Sequence, residues 1–448
     1  MAQIASGRKH RRSVRSVLFD LHSNVALERR PDLARMVNWG GGIDIPIHRW
    51  LRYREAYSPS LITQLGLGKR ILDPFCGGGS IMVGSAQLRR KSVGIDVNPL
   101  AIFAANVKLT PLSSEQIAKL KTFSDTFIEL SSSSKPWPTP SLRISNKVFE
   151  PKILSTVLKL RAAIDSYAGD DKQVRNFLFL AWLSILEEVG SYFKEGNGIK
   201  YRNKKRLKDR YIRREEGHWQ RERFGTDQRA FVNRKFKDRL ITMILDTPAW
   251  GDGDWLEQKV VEGSALELGQ HVGSEEFDSI IFSPPYANRF DYFESLKVEL
   301  WFGGFVNSYE ELNRLRKKSL RSHLGADLAR PAIEIKPLEQ LISLMDRDSS
   351  SWRMRVPLAL RGYFDDMYRT LIQCRSAAPQ GSCHVVVGNS AFAGVIIPTD
   401  VLIAELGLQA GFSSAKVITV RHLTVAPQQR AKLEGLEEFM RESVVVLQ

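Results

Sequence analysis

Two rhythms of apolar residues run through this chain. Short apolar runs ending in an acid or a proline alternate with longer stretches in which apolar side chains recur every three to four positions. Lys69-Arg-Ile-Leu-Asp73 predicts a strand, Gly77-Gly-Gly79 a turn, and Ser80 to Leu88 a helix. Lys91 to Ile95 predicts a second strand closed by Asp96, with Pro99 opening another helix. Upstream, Gly40 to Gly42 marks a loop, and His48 to Leu61 predicts a short loop leading into a helix capped near Ser58-Pro59. Further strands are expected at Gln258 to Val261, Phe277 to Phe282, His384 to Gly388, Ala415 to Val420 and Ser443 to Leu447. Strands separated by helices are the pattern of an α/β fold, here a Rossmann-like doubly wound sheet.

Between the early and late strands the rhythm changes. Ser131 to Pro140 is rich in Ser and Pro and predicts a linker, Ile153 to Tyr167 and Val174 to Phe193 predict helices, and Lys200 to Arg239 is densely basic. The expected organisation is therefore a basic N-terminal tail over 1–30, one half of the sheet domain over 31–130 and a helical, basic insertion over 131–250. The second half follows over 251–448, with a helical segment at about 305–380.

Charge sharpens this picture. The 448 residues carry 65 Lys and Arg against 50 Asp and Glu, a net charge of +15, and such an excess suits a polyanionic partner such as nucleic acid. The basic insertion interleaves Lys204, Lys205, Arg206 and Arg210 with Tyr201, Tyr211 and Trp219, a mixture able to follow phosphates. A solvated mixed-charge helix is the plainer account of the same stretch. A second basic cluster, Arg316, Lys317, Lys318 and Arg321, sits on an expected helix, and Arg289, close behind residues 283–286, is a further candidate for the pocket lip and nucleic-acid contact, with a local salt bridge as the alternative. Only three cysteines are present, Cys76, Cys374 and Cys383, without the spacing of a disulfide framework or metal site, so a reducing, cytoplasmic setting with no metal is expected. The longest apolar run, Phe177 to Leu186, is too short to cross a bilayer.

Two constellations carry chemistry. In Asp73-Pro74-Phe75-Cys76-Gly77-Gly-Gly79-Ser80 an acid at a strand end precedes residues small enough for a ligand to approach the backbone. Asp96, followed by Asn98, stands where a doubly wound fold places the acid that accepts from ribose hydroxyls. A dinucleotide loop would need a third glycine where Met82 stands, and a phosphate loop would need a following Gly-Lys-Ser/Thr. The fitting ligand has a ribose but no phosphate to cradle. The second constellation, Ser283-Pro284-Pro285-Tyr286, follows the apolar run Ser279 to Phe282. Two prolines remove backbone donors and fix the turn, leaving carbonyls free to accept.

Together, Asp73 to Ser80, Gly94-Ile-Asp96-Val-Asn-Pro99 and Ser283 to Tyr286 resemble the amino-methylating DNA methyltransferases of bacterial restriction-modification systems. The resemblance implies that the first two motifs bind S-adenosylmethionine and that the tetrad is catalytic, with serine in first place typical of cytosine-N4 enzymes. It extends to His48 to Leu61, which looks like the family's cofactor-contacting motif, with His48 as its candidate contact. Val385 to Asn389 and Arg441 to Val446 look like the family's late strands. One departure is Ser264, where the family often has an acid near the adenine.

The tetrad suits an exocyclic amine, whose lone pair is delocalised into the base ring. Acceptors at Ser283 Oγ and the Pro284 carbonyl would favour a pyramidal nitrogen, while Tyr286 would stack an extruded base. Cytosine-C5 chemistry needs a Pro-Cys nucleophile, and no cysteine here follows a proline. The expected partners are double-stranded DNA and a cognate restriction endonuclease. The rivals are an adenine-N6 or structured-RNA amino methyltransferase and a non-catalytic nucleic-acid-binding protein.

Overall fold

The computed structural model describes residues 2–448 apart from 54–55, 196–197, 203, 208–209, 214–215, 252, 324–325, 327–330 and 426–428; for 2–10 and 205–218 it describes the backbone alone. In chain order the strands are β1 (Ala26–Arg29), β2 (Arg70–Asp73), β3 (Lys91–Asp96), β4 (Tyr192–Glu195), β5 (Gly198–Tyr201), β6 (Lys204–Leu207) and β7 (Arg210–Arg213). They continue with β8 (Gln258–Glu262), β9 (Ser279–Phe282), β10 (Ser382–Gly388), β11 (Ser390–Phe392), β12 (Val395–Ile397), β13 (Ala415–His422) and β14 (Arg441–Leu447).

Eight of these form one sheet in the order β1-β13-β14-β10-β9-β2-β3-β8. From β8 to β10 every pairing is parallel, whereas β14 runs antiparallel to both β10 and β13. The strand period of two sends neighbouring residues into different cores: Ile71, Ile281, Val386 and Val444 join one apolar cluster, and Leu72, Ile280, Phe282, Val385 and Val445 join the other. Both faces are covered by helices, so these strands read as continuous apolar runs. The architecture is an α/β Rossmann-like doubly wound sheet. All the late strands expected from the sequence are present in it.

Three regions depart from the sequence reading. The expected basic tail is a helix, Ala2–Ser23, followed by β1. Val14, Leu18 and Leu21 form a buried stripe at helical spacing. Arg11 and Arg15 pair with Glu434 and Glu438, and β1 extends the sheet beside β13. High charge density hid that stripe. The helix Ser114–Ser133, which runs into the expected linker, and the insertion's helices Pro151–Ala168, Lys172–Val189 and Gln228–Asp246 share the apolar cluster of one sheet face, including Phe123, Phe177, Trp182 and Phe236.

The first part of the basic stretch, up to Arg213, forms hairpins, and helices resume at Glu216–Phe224 and Gln228–Asp246. β4 pairs with β5 and β6 with β7, both antiparallel. The helix expected to reach Phe193 stops at Val189 with Gly190 as its cap. Tyr192, Phe193, Ile199, Tyr201, Tyr211 and Ile212 are aromatic or β-branched residues, which favour strands, and three consecutive cations at 204–206 offer no apolar helix face.

Candidate active site

Strands β2 and β9 are hydrogen-bonded neighbours running in parallel, with Leu72 opposite Ile280. The glycine loop after Asp73 and the tetrad after Phe282 therefore leave the sheet at the same edge. This is the switch point where strand order runs one way through β3 and β8 and the other way through β9 and β10. A cleft of about 890 Å³ opens there, lined among others by Phe75, Gly77, Gly78, Asp96, Asn98, Ser264, Ser283 and Pro285.

The glycine loop is held from outside. Gly77 and Gly79 have φ of 49° and 79°, in the left-handed region. A Cβ on Gly77 would lie 2.9 Å from the Tyr53 ring, and one on Gly79 would lie 3.0 Å from the Ala105 Cβ. Asp96 Oδ2 accepts from Gly77 N at 2.9 Å, while Oδ1 accepts from Asn98 N at 2.8 Å. Burial pushes the Asp96 carboxyl up to about 6, although the N–H bonds pull it the other way. Asn98 caps the helix Pro99–Lys108, and its amide donates to the Tyr53 hydroxyl at 3.2 Å. Asp73 lies deeper: Tyr57 donates to it at 2.6 Å and Phe75 N at 3.0 Å, and burial pushes its carboxyl up to about 7. Burial also pushes the Cys76 thiol up, so Cys76 forms part of the cleft wall as an uncharged thiol.

His48 stands behind the loop and is not on the cleft wall. Its Nδ1 bonds the Gly42 carbonyl at 2.9 Å, which can only accept, so Nδ1 carries the proton and Nε2 accepts from Ser80 Oγ at 3.0 Å. Burial drives its pKa down to about 3, and its ring stacks on Trp39. Its visible task is to hold Ser80. Trp50 is core, as its size suggests, whereas Tyr53 closes over the loop.

At the tetrad, Ser283 and Pro285 face the cleft, whereas Pro284 is buried. Tyr286 is placed differently from the open stacking platform the sequence suggested. It is buried, its hydroxyl donates to Glu442 Oε1 at 2.8 Å, and its ring lies where a Cβ on Gly388 would come within 3.0 Å. Arg421 holds the other Glu442 oxygen at 2.5 Å. The aromatic side chains on the cleft wall nearest in sequence to the tetrad are Tyr292 and Phe293, residues that motif reading passed over. Tyr57 and Ser322 also line the cleft: Tyr57 lies within the His48 to Leu61 motif, where His48 alone was singled out as a contact, and Ser322 belongs to no run of recognisable spacing.

Ser264 lines the cleft, donating to the Lys318 carbonyl at 2.9 Å and accepting from Leu266 N at 3.3 Å. Lys318 reaches the cleft and Lys317 is exposed beside it, while Arg316 and Arg321 are tied to Asp291, Glu294, Asp365 and Asp366. Arg289, at φ 66°, lies over the Phe392 ring and is not on the cleft wall. Lys204 is exposed, 4.8 Å from the Tyr201 ring centroid. The side chains of Lys205, Arg206 and Arg210 lie outside the described residues. The β4–β5 hairpin is fixed near the cleft: Lys194 and Tyr192 bind Glu299 at 2.7 and 3.1 Å, and Gly198 abuts Glu294, two residues from Tyr292. Among the described residues, no cluster of three or more His, Cys, Asp or Glu could hold a metal, and no helix is long and apolar enough to cross a membrane.

No family model matches the chain. Among curated proteins it is 25% identical to the Type II methyltransferase M.BsoBI of Geobacillus stearothermophilus, over 86% of this chain and 82% of that one. It is 22% identical to the Type II methyltransferase M.AvaI of Anabaena variabilis, over 86% and 83% respectively. It is 20% identical to the Type II methyltransferase M.MvaI of Kocuria varians, over 75% and 74%. A solved rRNA methyltransferase from Streptomyces viridochromogenes superposes over 90% of each chain with a TM-score of 0.30 and 11% identity, too distant to bear on this one. The homologues of this chain are thus Type II methyltransferases, matched along most of its length and most of theirs.

Proposed function

We propose that the chain is an S-adenosylmethionine-dependent methyltransferase acting on the exocyclic N4 of cytosine in a specific sequence of double-stranded DNA. The observation carrying this reading is that the glycine loop and the Ser283 turn leave adjacent parallel strands and open on one cleft. The relatives' shared name points the same way.

The cleft fits the cofactor. Gly77 and Gly78 leave its floor free of side chains, Asp96 offers carboxylate lone pairs to ribose hydroxyls, and Phe75 and Tyr53 supply apolar and aromatic walls. When bound, the cofactor supplies an electrophilic methyl group on a sulfonium. The protein's part is orientation: Ser283 Oγ and the Pro284 carbonyl accept the two amine hydrogens and free the nitrogen lone pair. The turn is stiff, so these acceptors need little reorganisation. Serine at position 283 favours cytosine through the resemblance noted above. Exposed Lys204, Lys317 and Lys318 supply phosphate contacts, and a paired restriction endonuclease is the natural companion of such an activity.

The test is to incubate purified protein with methyl-labelled cofactor and DNA, then digest to nucleosides. N4-methylcytosine is the expected product; N6-methyladenine would move the reading to adenine, and no incorporation would end it. Retention of the same DNA should fall steeply as salt rises, and a flat response would remove the lysines from the reading.

A further inference from the structure

Lys108 is the last residue of the helix Pro99–Lys108, and it is 1% exposed. Among the described residues it has no carboxylate partner. Its ammonium donates to the Gly78 carbonyl at 2.8 Å, and a Cβ on Gly78 would come within 3.4 Å of the same nitrogen. Gly78 lines the cleft, so this nitrogen lies one peptide behind the wall. Its backbone carbonyl is fixed in turn by the Trp250 indole at 2.9 Å.

An isolated buried cation is costly, and buried charges are ordinarily paired. Burial accordingly pulls the Lys108 pKa down to about 7. The neighbouring ring of His48 is held neutral behind Ser80, its protonation disfavoured by burial and by the charge of Lys108. Among the described residues, the Gly78 carbonyl is the polar group that meets this ammonium. An anion delivered to the glycine loop would offset the cost.

We propose that Lys108 is a positioning residue that provides the counter-charge for the α-carboxylate of the cofactor, an inference resting on the assignment of S-adenosylmethionine above. That molecule carries two cationic groups, the sulfonium and the ammonium, and one anionic group. A positive charge behind Gly78 therefore disfavours two orientations and favours one, with the carboxylate toward the loop. Asp96, at the end of the neighbouring strand, takes the ribose in the same orientation. Because Gly77 and Gly78 bear no side chains, the field of the ammonium reaches the cleft across a single peptide.

The experiment measures binding without DNA, by calorimetric titration of the full chain with S-adenosylmethionine and with its decarboxylated analogue. The parent should prefer the carboxylated ligand by roughly tenfold or more. In Lys108→Met the preference should shrink to within about threefold, through weaker binding of the carboxylated ligand alone. Equal weakening of both ligands, or an unchanged preference, would overturn the assignment. Lys108→Gln keeps a donor for the Gly78 carbonyl without the charge. It should behave like Lys108→Met, and parent-like binding would show that the hydrogen bond matters and the charge does not. Both variants should melt at or above the parent without ligand, since the uncompensated charge is gone; a marked loss of stability would make Lys108 a structural strut and refute the proposal. A parent that binds neither ligand would refute the cofactor reading itself, and this inference with it.

Discussion

Two turns meet at the carboxyl edge of this sheet, and they are built on opposite principles. The loop after β2 is made of glycines, which have no stiffness of their own, so its shape is imposed from outside by Asp96 on Gly77, Lys108 on Gly78, His48 on Ser80 and the ring of Tyr53. The turn after β9 is made of two prolines, whose rings fix φ, and its visible outside anchor is the Tyr286 to Glu442 bond. The difference follows from what each must present. A ligand that lies along the backbone needs an absence of side chains, whereas an amine to be oriented needs acceptors at fixed places.

Substitutions can break this contrast. The largest effect should come from Gly79→Val, which puts a branched side chain at φ 79° and a Cβ 3.0 Å from Ala105. Strain of roughly 1–3 kcal/mol should lower the melting temperature and abolish cofactor binding in a titration. If the variant binds like the parent, the loop is not a rigid cradle. Next, Ser283→Ala should slow methyl transfer by about ten- to a hundredfold with the cofactor dissociation constant unchanged, as measured by single-turnover kinetics and titration. A parallel loss of cofactor affinity would mean that the two turns do not divide the labour. The smallest effect should come from Tyr286→Phe, which removes one hydroxyl from a turn that is already stiff. A loss of about 1 kcal/mol in denaturant unfolding is expected. A collapse of the fold would show that Glu442 holds this turn as firmly as Asp96 holds the other.

The strand-turn-helix units around Asp73 and Asp96 and the strand before Ser283 were legible in the sequence, because their spacing follows directly from backbone geometry. The sheet-edge neighbourhood of β2 and β9, far apart in the chain, was legible only through motif resemblance. The N-terminal helix escaped because three buried aliphatics were scattered among cations. The hairpins escaped because charge drew more notice than Tyr192, Phe193 and Ile199. Lys108 was invisible for another reason: a lysine ending a helix ordinarily complements the helix dipole at the surface, and its spacing says nothing of burial. The inward posture of Tyr286 depends on Glu442 and Gly388, near the other end of the chain, which no local pattern links to the tetrad.

The pairing of β1 with β13 joins Ala26 to Lys416, so the first strand waits for a neighbour that follows it by 390 residues (416 minus 26) in synthesis. Until then the aliphatic stripe of Val14, Leu18 and Leu21 has no late-strand layer to cover it. Non-local closure of this kind is slow and leaves apolar surface open to self-association. The completed sheet edge is therefore a timer on maturation: proteins stalled before Ala415 should be sticky, and slower synthesis should lengthen the interval during which they need a chaperone.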